Sequence, residues 1–257
     1  MELEWARLKA SELRVLAERD AIVLVPVAAM EQHGPHLPVM VDSLLCAEVA
    51  LRSARRVAGR QPVVVAPTVW SGLSEHHMPF GGTLTLDFPT FFALLRCLCR
   101  SLVAHGFQRI FLLNGHGGNR FALRVVVDEL SGALGATLAT ATYWEPAAGA
   151  IARILEQQPG VQHACEAETS MVLALRPELV DQARLAEAKY TEAPHPVSQR
   201  GGHVWRSFAT RTPTGVIGDP TAASAAKGER LLDAAAEAIA ELLLDDGCWT
   251  ASARSAG

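Results

Sequence analysis

Short apolar runs alternate along this chain with segments of helical periodicity. The apolar runs cover residues 21–29, 62–68, 109–113 and 136–143. The helical segments cover residues 44–58, 90–105, 121–134 and 170–175, with a long last helix at about 224–244. A continuous apolar run predicts a strand buried on both faces, and strands alternating with helices predict a parallel sheet with helices on both faces. Because no repeat or low-complexity linker interrupts the sequence, we predict a single α/β domain over residues 1–257.

The composition argues against several classes of protein. The net charge is −4 and no dense stripe of lysine and arginine is present, so we expect no nucleic-acid binding. The four arginines of residues 52–60 continue a helical pattern and are interpreted as a solvated face. Apolar runs of about ten residues are too short to span a bilayer, and the charged N-terminus does not resemble a signal peptide. None of the five cysteines belongs to a C-x-x-C pair. We therefore expect a cytoplasmic protein with reduced cysteines and no membrane partner.

Polar side chains are concentrated directly after the first predicted strand. The segment Glu31–Pro38 reads E-Q-H-G-P-H-L-P, and Asp42 follows it. Ligands of open parallel sheets bind at the carboxyl ends of the strands. Imidazole and carboxylate together suit Zn²⁺, Mn²⁺ or Fe²⁺, often as a pair of ions that share a carboxylate. The alternative is that His33 and His36 are ordinary loop residues that bond to nearby backbone groups.

A second polar cluster, Asn114–Asn119, follows the third predicted strand without a spacer and reads N-G-H-G-G-N. Glycines on both sides of His116 would let backbone N–H groups approach a ligand and stabilise a developing oxyanion. The segment is not a dinucleotide-binding G-x-G-x-x-G loop, because Arg120 occupies the sixth position. The alternative is a tight turn with an incidental histidine.

The third cluster is His163–Ser170, which reads H-A-C-E-A-E-T-S. Glu166 and Glu168 are two positions apart, so only one of them can easily face a site from the start of a helix. The other would cap the helix N-terminus, where negative charge is favourable. The chain contains no G-x-S-x-G, G-x-x-x-x-G-K-[ST] or H-E-x-x-H motif. Water activated by a metal ion is therefore the nucleophile that the sequence favours.

Together these clusters resemble the creatininase (creatinine amidohydrolase) family. The matching segments are Glu31–Pro38, Asp42, Asn114–Asn119 and His163–Ser170, with further likeness at 72–83 and 215–220. The resemblance implies a three-layer α/β/α sandwich with a mostly parallel sheet. It also implies two divalent metal ions per chain and a homo-oligomer, usually a hexamer. Zn²⁺ is the ion that we expect, with Mn²⁺ or Fe²⁺ as alternatives.

The resemblance also implies a set of metal ligands. One ion would be bound by Glu31, Asp42 and His116, and the other by His33, Asp42 and a glutamate. In creatininase that glutamate lies in the loop where this chain has Gly118.

We expect Glu166 to replace this missing ligand, while Glu168 stays open as the alternative. Glu166 and His163 are also the predicted catalytic residues, because His163 matches the position that has a proton-transfer role in the family. Cys165 replaces a glycine of the family pattern and would place a thiol near the metals, where oxidation could inhibit the protein.

The sequence thus predicts a hydrolase that cleaves the C–N bond of a small cyclic or linear amide with metal-activated water. We expect Gly117 and Gly118 to contact the oxyanion, Trp144 to stack on the substrate, and Ser74 and His77 to border the pocket. The missing glutamate argues against creatinine itself as the substrate. A peptide-trimming or formamide-cleaving enzyme of the same family is the alternative. The alternatives from other classes are a ligand-binding subunit without activity and a sugar- or nucleotide-binding protein. All five predicted metal ligands are present, which argues against the first alternative. No phosphate-binding loop is present, which argues against the second.

Overall fold

The computed structural model describes residues 2–193 and 195–250 of the chain. The strands are β1 (Ile22–Val27), β2 (Val63–Val65), β3 (Arg109–Asn114) and β4 (Thr137–Thr142). The helices are α1 (Ala10–Glu18), α2 (Val41–Val57), α3 (Phe88–Ala104), α4 (Arg120–Leu134), α5 (Ala148–Ala152), α6 (Glu166–Leu175), α7 (Pro196–Gln199), α8 (Ala225–Leu244) and α9 (Asp246–Trp249). Short 3-10 turns connect several of them, including Glu75–Phe80 and Phe208–Thr210.

The four strands form one parallel sheet in the order β2-β1-β3-β4. All six residues of β1 are buried, as expected for a central strand covered on both faces. Pro26 lies inside this strand, where proline is unusual because it has no N–H to donate. Its carbonyl accepts the N–H of Val69, beyond the end of β2. The missing N–H of Pro26 therefore faces the side where β2 has already ended, and the pairing of β1 with β3 is intact.

Successive residues of β1 point into two separate cores, one on each face of the sheet. Ile22 and Leu24 belong to a core with α2, α6 and α8. Val23, Val25 and Val27 belong to a second core with α1, α3 and α4. This alternation follows from the two-residue period of a strand. The predicted three-layer α/β/α sandwich is confirmed.

The largest differences from the sequence-based element boundaries are at β2 and at α6. β2 has three residues instead of the seven predicted, because the chain leaves the ladder at Ala66, one residue before Pro67. Helix α6 begins at Glu166 rather than at Ser170. The second difference matters for the site, because it puts both Glu166 and Glu168 on the first turn of a helix.

No helix among residues 2–193 and 195–250 combines the length and the apolar character needed to cross a membrane.

Candidate metal centre and active site

Five buried side chains from four parts of the fold meet at the carboxyl edge of the sheet. The loop after β1 contributes two, the first turn of α2 one, the loop after β3 one, and the first turn of α6 one. These residues are Glu31, His33, Asp42, His116 and Glu168, and we call them the candidate metal centre.

Asp42 connects two groups of three possible ligands. Its Oδ2 lies 2.9 Å from Nδ1 of His116, which lies 3.3 Å from Oε2 of Glu31. Its Oδ1 lies 3.2 Å from Nε2 of His33, which lies 3.9 Å from Oε2 of Glu168. In each group the possible ligand atoms lie within 4.8 Å of one another. One carboxylate thus presents one oxygen to each group.

Neighbouring hydrogen bonds orient the possible ligands. Nδ1 of His33 contacts the carbonyl of Glu31 at 3.0 Å, which turns Nε2 towards Asp42. The Ser74 hydroxyl donates to Oε2 of Glu31 at 2.7 Å. Asn114 accepts the N–H of His116 and donates to its carbonyl. In metal sites, hydrogen bonds from surrounding residues fix the orientation of the side chains that bind the metal.

The buried carboxylates of the candidate metal centre favour additional positive charge beside them. Burial opposes protonation of His33, but the Asp42 and Glu168 carboxylates outweigh it and raise its pKa to about 9. At His116, the Glu31 and Asp42 carboxylates also outweigh the effect of burial, and they raise the pKa of this histidine well above its usual value. Burial raises the pKa of Glu168 to about 7. Without a cation, protons are thus the charges that compensate the buried carboxylates.

Two buried atoms of the centre test whether a cation would fit. Nε2 of His33 and Oδ2 of Asp42 have no well-aligned hydrogen bond with any described residue, although other ligand atoms lie close to them. Buried polar atoms are normally satisfied. Because nitrogen and carboxylate donors suit first-row divalent ions, the residues present fit such a cation.

The predicted ligand Glu166 is not in this cluster, which corrects the sequence-based choice. Its carboxylate accepts the backbone N–H groups of Glu156 and Gln157 and pairs with Nζ of Lys227 at 2.6 Å. Glu168 occupies the place expected for Glu166. The reason is helical geometry, since residues two apart on a helix point in different directions. The same placement removes Glu166 from contact with a substrate.

His163 lies at the border between the candidate metal centre and an open cavity. Its Nδ1 is 3.6 Å from Oε1 of Glu31, and its Nε2 is 2.8 Å from the carbonyl of Gln32. Together with Glu31 and His33 it forms a third group of possible ligands. Burial lowers the pKa of His163 well below its usual value, and nearby His33 lowers it further. The His163 ring is therefore uncharged in these surroundings.

The cavity has a volume of about 940 Å³ and opens onto the candidate metal centre. Four of the predicted substrate-binding residues line it: His77, Gly117, Gly118 and Trp144. Ser74 does not, which corrects the prediction. It is fully buried behind Glu31 and Nε2 of His116, so it supports the centre from outside the cavity.

The structure adds residues that sequence reasoning did not select. Gln32 contacts Nδ1 of His77 at 2.8 Å and donates to the carbonyl of Gly215. The ring of Phe208 packs on His77 and His163. Gln32 could have been found from its place between Glu31 and His33. Phe208 carries no local signal, because it reaches the site only through the folding of a long loop.

Cys165 has a structural role in the described fold. It is fully buried, its Sγ accepts the N–H of Gln162, and burial raises its pKa to about 12. A buried protonated thiol is a poor nucleophile. The expectation that oxidation of this residue would inhibit the protein is therefore not supported by its surroundings.

Fold and site together define an α/β/α protein with a buried cluster of histidines and carboxylates at the carboxyl edge of its parallel sheet. The chain belongs to the creatininase family of hydrolases, since the family described as creatinine amidohydrolase matches residues 6–243. The predicted family is thus confirmed.

Individual relatives have different activities. The chain is 33% identical to a mycofactocin precursor peptide peptidase of Mycobacterium ulcerans (strain Agy99), over 89% of this chain and 85% of the relative. It is 30% identical to a creatinine amidohydrolase of Pseudomonas putida, over 95% of each. A crystal structure of creatinine amidohydrolase superimposes with a TM-score of 0.82 at 27% identity, covering 94% of this chain and 96% of that chain. A structure described as creatininase Mn gives 0.83 at 26% identity, over 95% and 98%.

Proposed function

We propose that this protein is a metal-dependent amidohydrolase with two divalent ions that share Asp42. The observation that carries the proposal is the pair of ligand groups that meet at this one carboxylate. Glu31 and His116 would complete one ion site, and His33 and Glu168 the other. Zn²⁺ is the ion we favour, with Mn²⁺ or Fe²⁺ as alternatives, because all three suit mixed imidazole and carboxylate ligands.

Such ions, when bound, would lower the pKa of water and polarise the carbonyl of an amide. The chain's own residues would position the substrate and move protons. The backbone of Gly117 and Gly118 lines the cavity beside His116 and would donate hydrogen bonds to the developing oxyanion. His163 would carry a proton to the leaving nitrogen. This role uses a ring nitrogen that lies at the border of the cavity, next to the Glu31 carboxylate.

A second candidate is cleavage of a peptide rather than of a small amide. The relative from Mycobacterium ulcerans is named as a peptide peptidase. The cavity, at about 940 Å³, also lies near the upper end of the roughly 300–1,000 Å³ of typical ligand pockets. A chain of several residues would fit in this space as readily as a small ring.

A substrate panel with the metal-loaded protein separates the candidates. Cyclic ureides, lactams, formamides and short peptides would be incubated with protein loaded with Zn²⁺ or Mn²⁺. Release of product from at least one class is expected. Less than about one bound transition-metal ion per chain, with no turnover after loading, would instead favour a ligand-binding protein without activity.

Asp42→Ala tests the shared carboxylate. We expect loss of both ions by elemental analysis and loss of turnover on any substrate found, because one side chain serves both groups. Asp128→Ala, on the exposed face of α4, is the matched control and should behave as the wild type. An Asp42→Ala protein that retains two ions would contradict the proposal.

Assembly as a homo-oligomer and a cytoplasmic location stay predictions. Light scattering coupled to size-exclusion chromatography would test the expected hexamer.

A further inference from the structure

Two arginines and a glutamate form a compact charged group on the wall of the cavity. Glu192 accepts Nε and Nη2 of Arg211 at 3.0 and 2.7 Å, a two-bond contact with one guanidinium. It also accepts Nη1 of Arg206 at 2.9 Å. We call Glu192, Arg206 and Arg211 the arginine pair with its glutamate. All three line the same cavity as the candidate metal centre.

This group carries more positive than negative charge. Although burial acts in the opposite direction, hydrogen bonds and charge from Arg211 and Arg206 lower the pKa of Glu192, so it is ionised at neutral pH. Two guanidinium groups and one carboxylate leave one net positive charge. An arginine has five N–H donors. Neither Nη1 of Arg211 nor Nε of Arg206 is used in a hydrogen bond with a described residue.

The charge lies close to the reacting region. The guanidinium carbon of Arg211 is 4.7 Å from the centroid of the Phe208 ring. The same ring also packs on His163, at a centroid distance of 4.8 Å, and on His77, at 4.1 Å. A single aromatic ring thus separates the guanidinium of Arg211 from the histidine proposed to transfer protons.

Among the described residues that line the cavity, Arg206 and Arg211 are the only arginine or lysine residues. Other carboxylates also line the cavity away from the candidate metal centre. Of these, Asp87 already accepts the N–H of Thr90 as the cap of α3, and Glu75 lies at the start of the turn Glu75–Phe80. Away from the candidate metal centre, an anionic part of a ligand would therefore be attracted to Arg206 and Arg211.

We propose that the cavity takes amides that carry a free carboxylate a few bonds from the scissile C–N bond, as in an N-acyl amino acid. Arg211 binds the carboxylate, Arg206 assists, and the amide reaches the candidate metal centre past Phe208. Charge-assisted hydrogen bonds from a preorganised guanidinium suit a carboxylate in particular. The proposal names the substrate class for the hydrolysis proposed above and rests on it for the reaction, but not for the binding.

Two ligands that differ only in the carboxylate test the proposal: N-acetylphenylalanine and N-acetylphenethylamine. Dissociation constants would be measured by calorimetry with the metal-loaded protein, and kcat/KM wherever product forms. We expect the wild type to bind the acid about tenfold or more tightly than the neutral amide, as hydrogen bonds to a charged group allow. In steady-state kinetics, the preference for the acid should appear as a lower KM.

Variants of the two arginines test whether these side chains cause the preference for the acid. Arg211→Gln should lose the preference for the acid while its Kd for the neutral amide stays unchanged, and Arg206→Gln should reduce the preference in part. Arg124→Gln, an exposed arginine of α4, is the control and should keep it. If Arg211→Gln does not fold, Arg206→Gln and Arg211→Lys decide, and each should show a reduced preference.

Three results would overturn the proposal. They are equal affinity of the wild type for the two ligands, a preference that persists in Arg211→Gln, and an equal loss of affinity for both ligands in a folded variant. The second would mean that the carboxylate binds the metal ions, and the third that the arginines only hold the loop in place. Selective binding without hydrolysis would count against the proposed reaction alone.

Discussion

Glu166 and Glu168 have the same side chain and lie on the same helical turn, yet their surroundings assign them different roles. Glu166 is held by Lys227 and by two backbone N–H groups of the preceding loop. Glu168 faces His33, and its Oε2 also accepts the N–H of Ala164. The first carboxylate anchors the loop that leads to His163, while the second is available to a metal ion.

Glu168→Gln and Glu166→Gln should therefore fail in different ways. We expect Glu168→Gln to weaken binding of one metal ion by at least about tenfold, since even lost outer contacts cost about 10–100-fold. Glu166→Gln should keep both ions but lose about 1–3 kcal/mol of unfolding free energy, because it weakens hydrogen bonds to a charged partner.

Metal titration and denaturant unfolding of the two variants, each compared with the wild type, measure these effects. If Glu166→Gln lost an ion and Glu168→Gln did not, the assignment of the two carboxylates would be reversed.

The loop between β3 and α4 shows how one element shapes the site. Asn119 donates to the carbonyl of Ala28 and accepts the N–H of Leu73, so this loop is tied to the segments that follow β1 and β2. A Cβ at Gly118 would meet the Leu73 carbonyl oxygen and Nε2 of His116 far inside van der Waals contact. A Cβ at Gly117 would meet nothing within 4 Å. The close approach of the backbone therefore requires glycine at position 118 and not at 117.

Gly118→Ala should displace His116 and lower kcat/KM about tenfold to a hundredfold, because displacement of a catalytic group by about 1 Å costs about that much. Gly117→Ala is the neighbouring control and should leave the position of His116 unchanged. Steady-state kinetics and the metal content of both variants measure the difference. Equal behaviour of the two alanine variants would show that the contact at position 118 does not matter.

At the scale of the whole molecule, two apolar cores cover the sheet and leave its carboxyl edge open to the cavity. Three buried carboxylates, those of Glu31, Asp42 and Glu168, meet at that edge. Buried like charges destabilise a fold unless they are paired. The part of the structure that is most suited to bind a cation is therefore also one that opposes folding without it.

Metal ions should consequently raise the thermal stability of the whole protein. At a metal concentration about 100 times the Kd, binding contributes about 2.7 kcal/mol. In a protein of this size each kcal/mol raises Tm by about 2–4 °C, so we expect a rise of at least about 5 °C. Scanning calorimetry with chelator and with Zn²⁺ or Mn²⁺ measures the shift. Asp42→Ala should show little of it, and a wild type with the same Tm in both conditions would contradict the expectation.

Local patterns in the sequence were sufficient to predict the architecture. Strand β1 and helix α4 lie within two residues of their expected ends, because apolar runs and helical periodicity are properties of neighbouring residues. Four of the residues of the candidate metal centre could also be selected. Glu31, His33, Asp42 and His116 all follow parallel strands, whose carboxyl ends share one edge. The structure brings these four together.

The tertiary structure alone decided the remaining parts of the site. The choice between Glu166 and Glu168 depends on where α6 begins and on Lys227, 61 positions further along the chain. The place of Ser74 behind Glu31 and the approach of Phe208 and Arg211 to the cavity depend on how long loops fold back over the sheet. Such contacts join residues far apart in the chain, so no local periodicity encodes them. The layers, the family and the edge where polar residues gather thus follow from local sequence patterns, whereas packing between distant segments sets which atoms face the cavity.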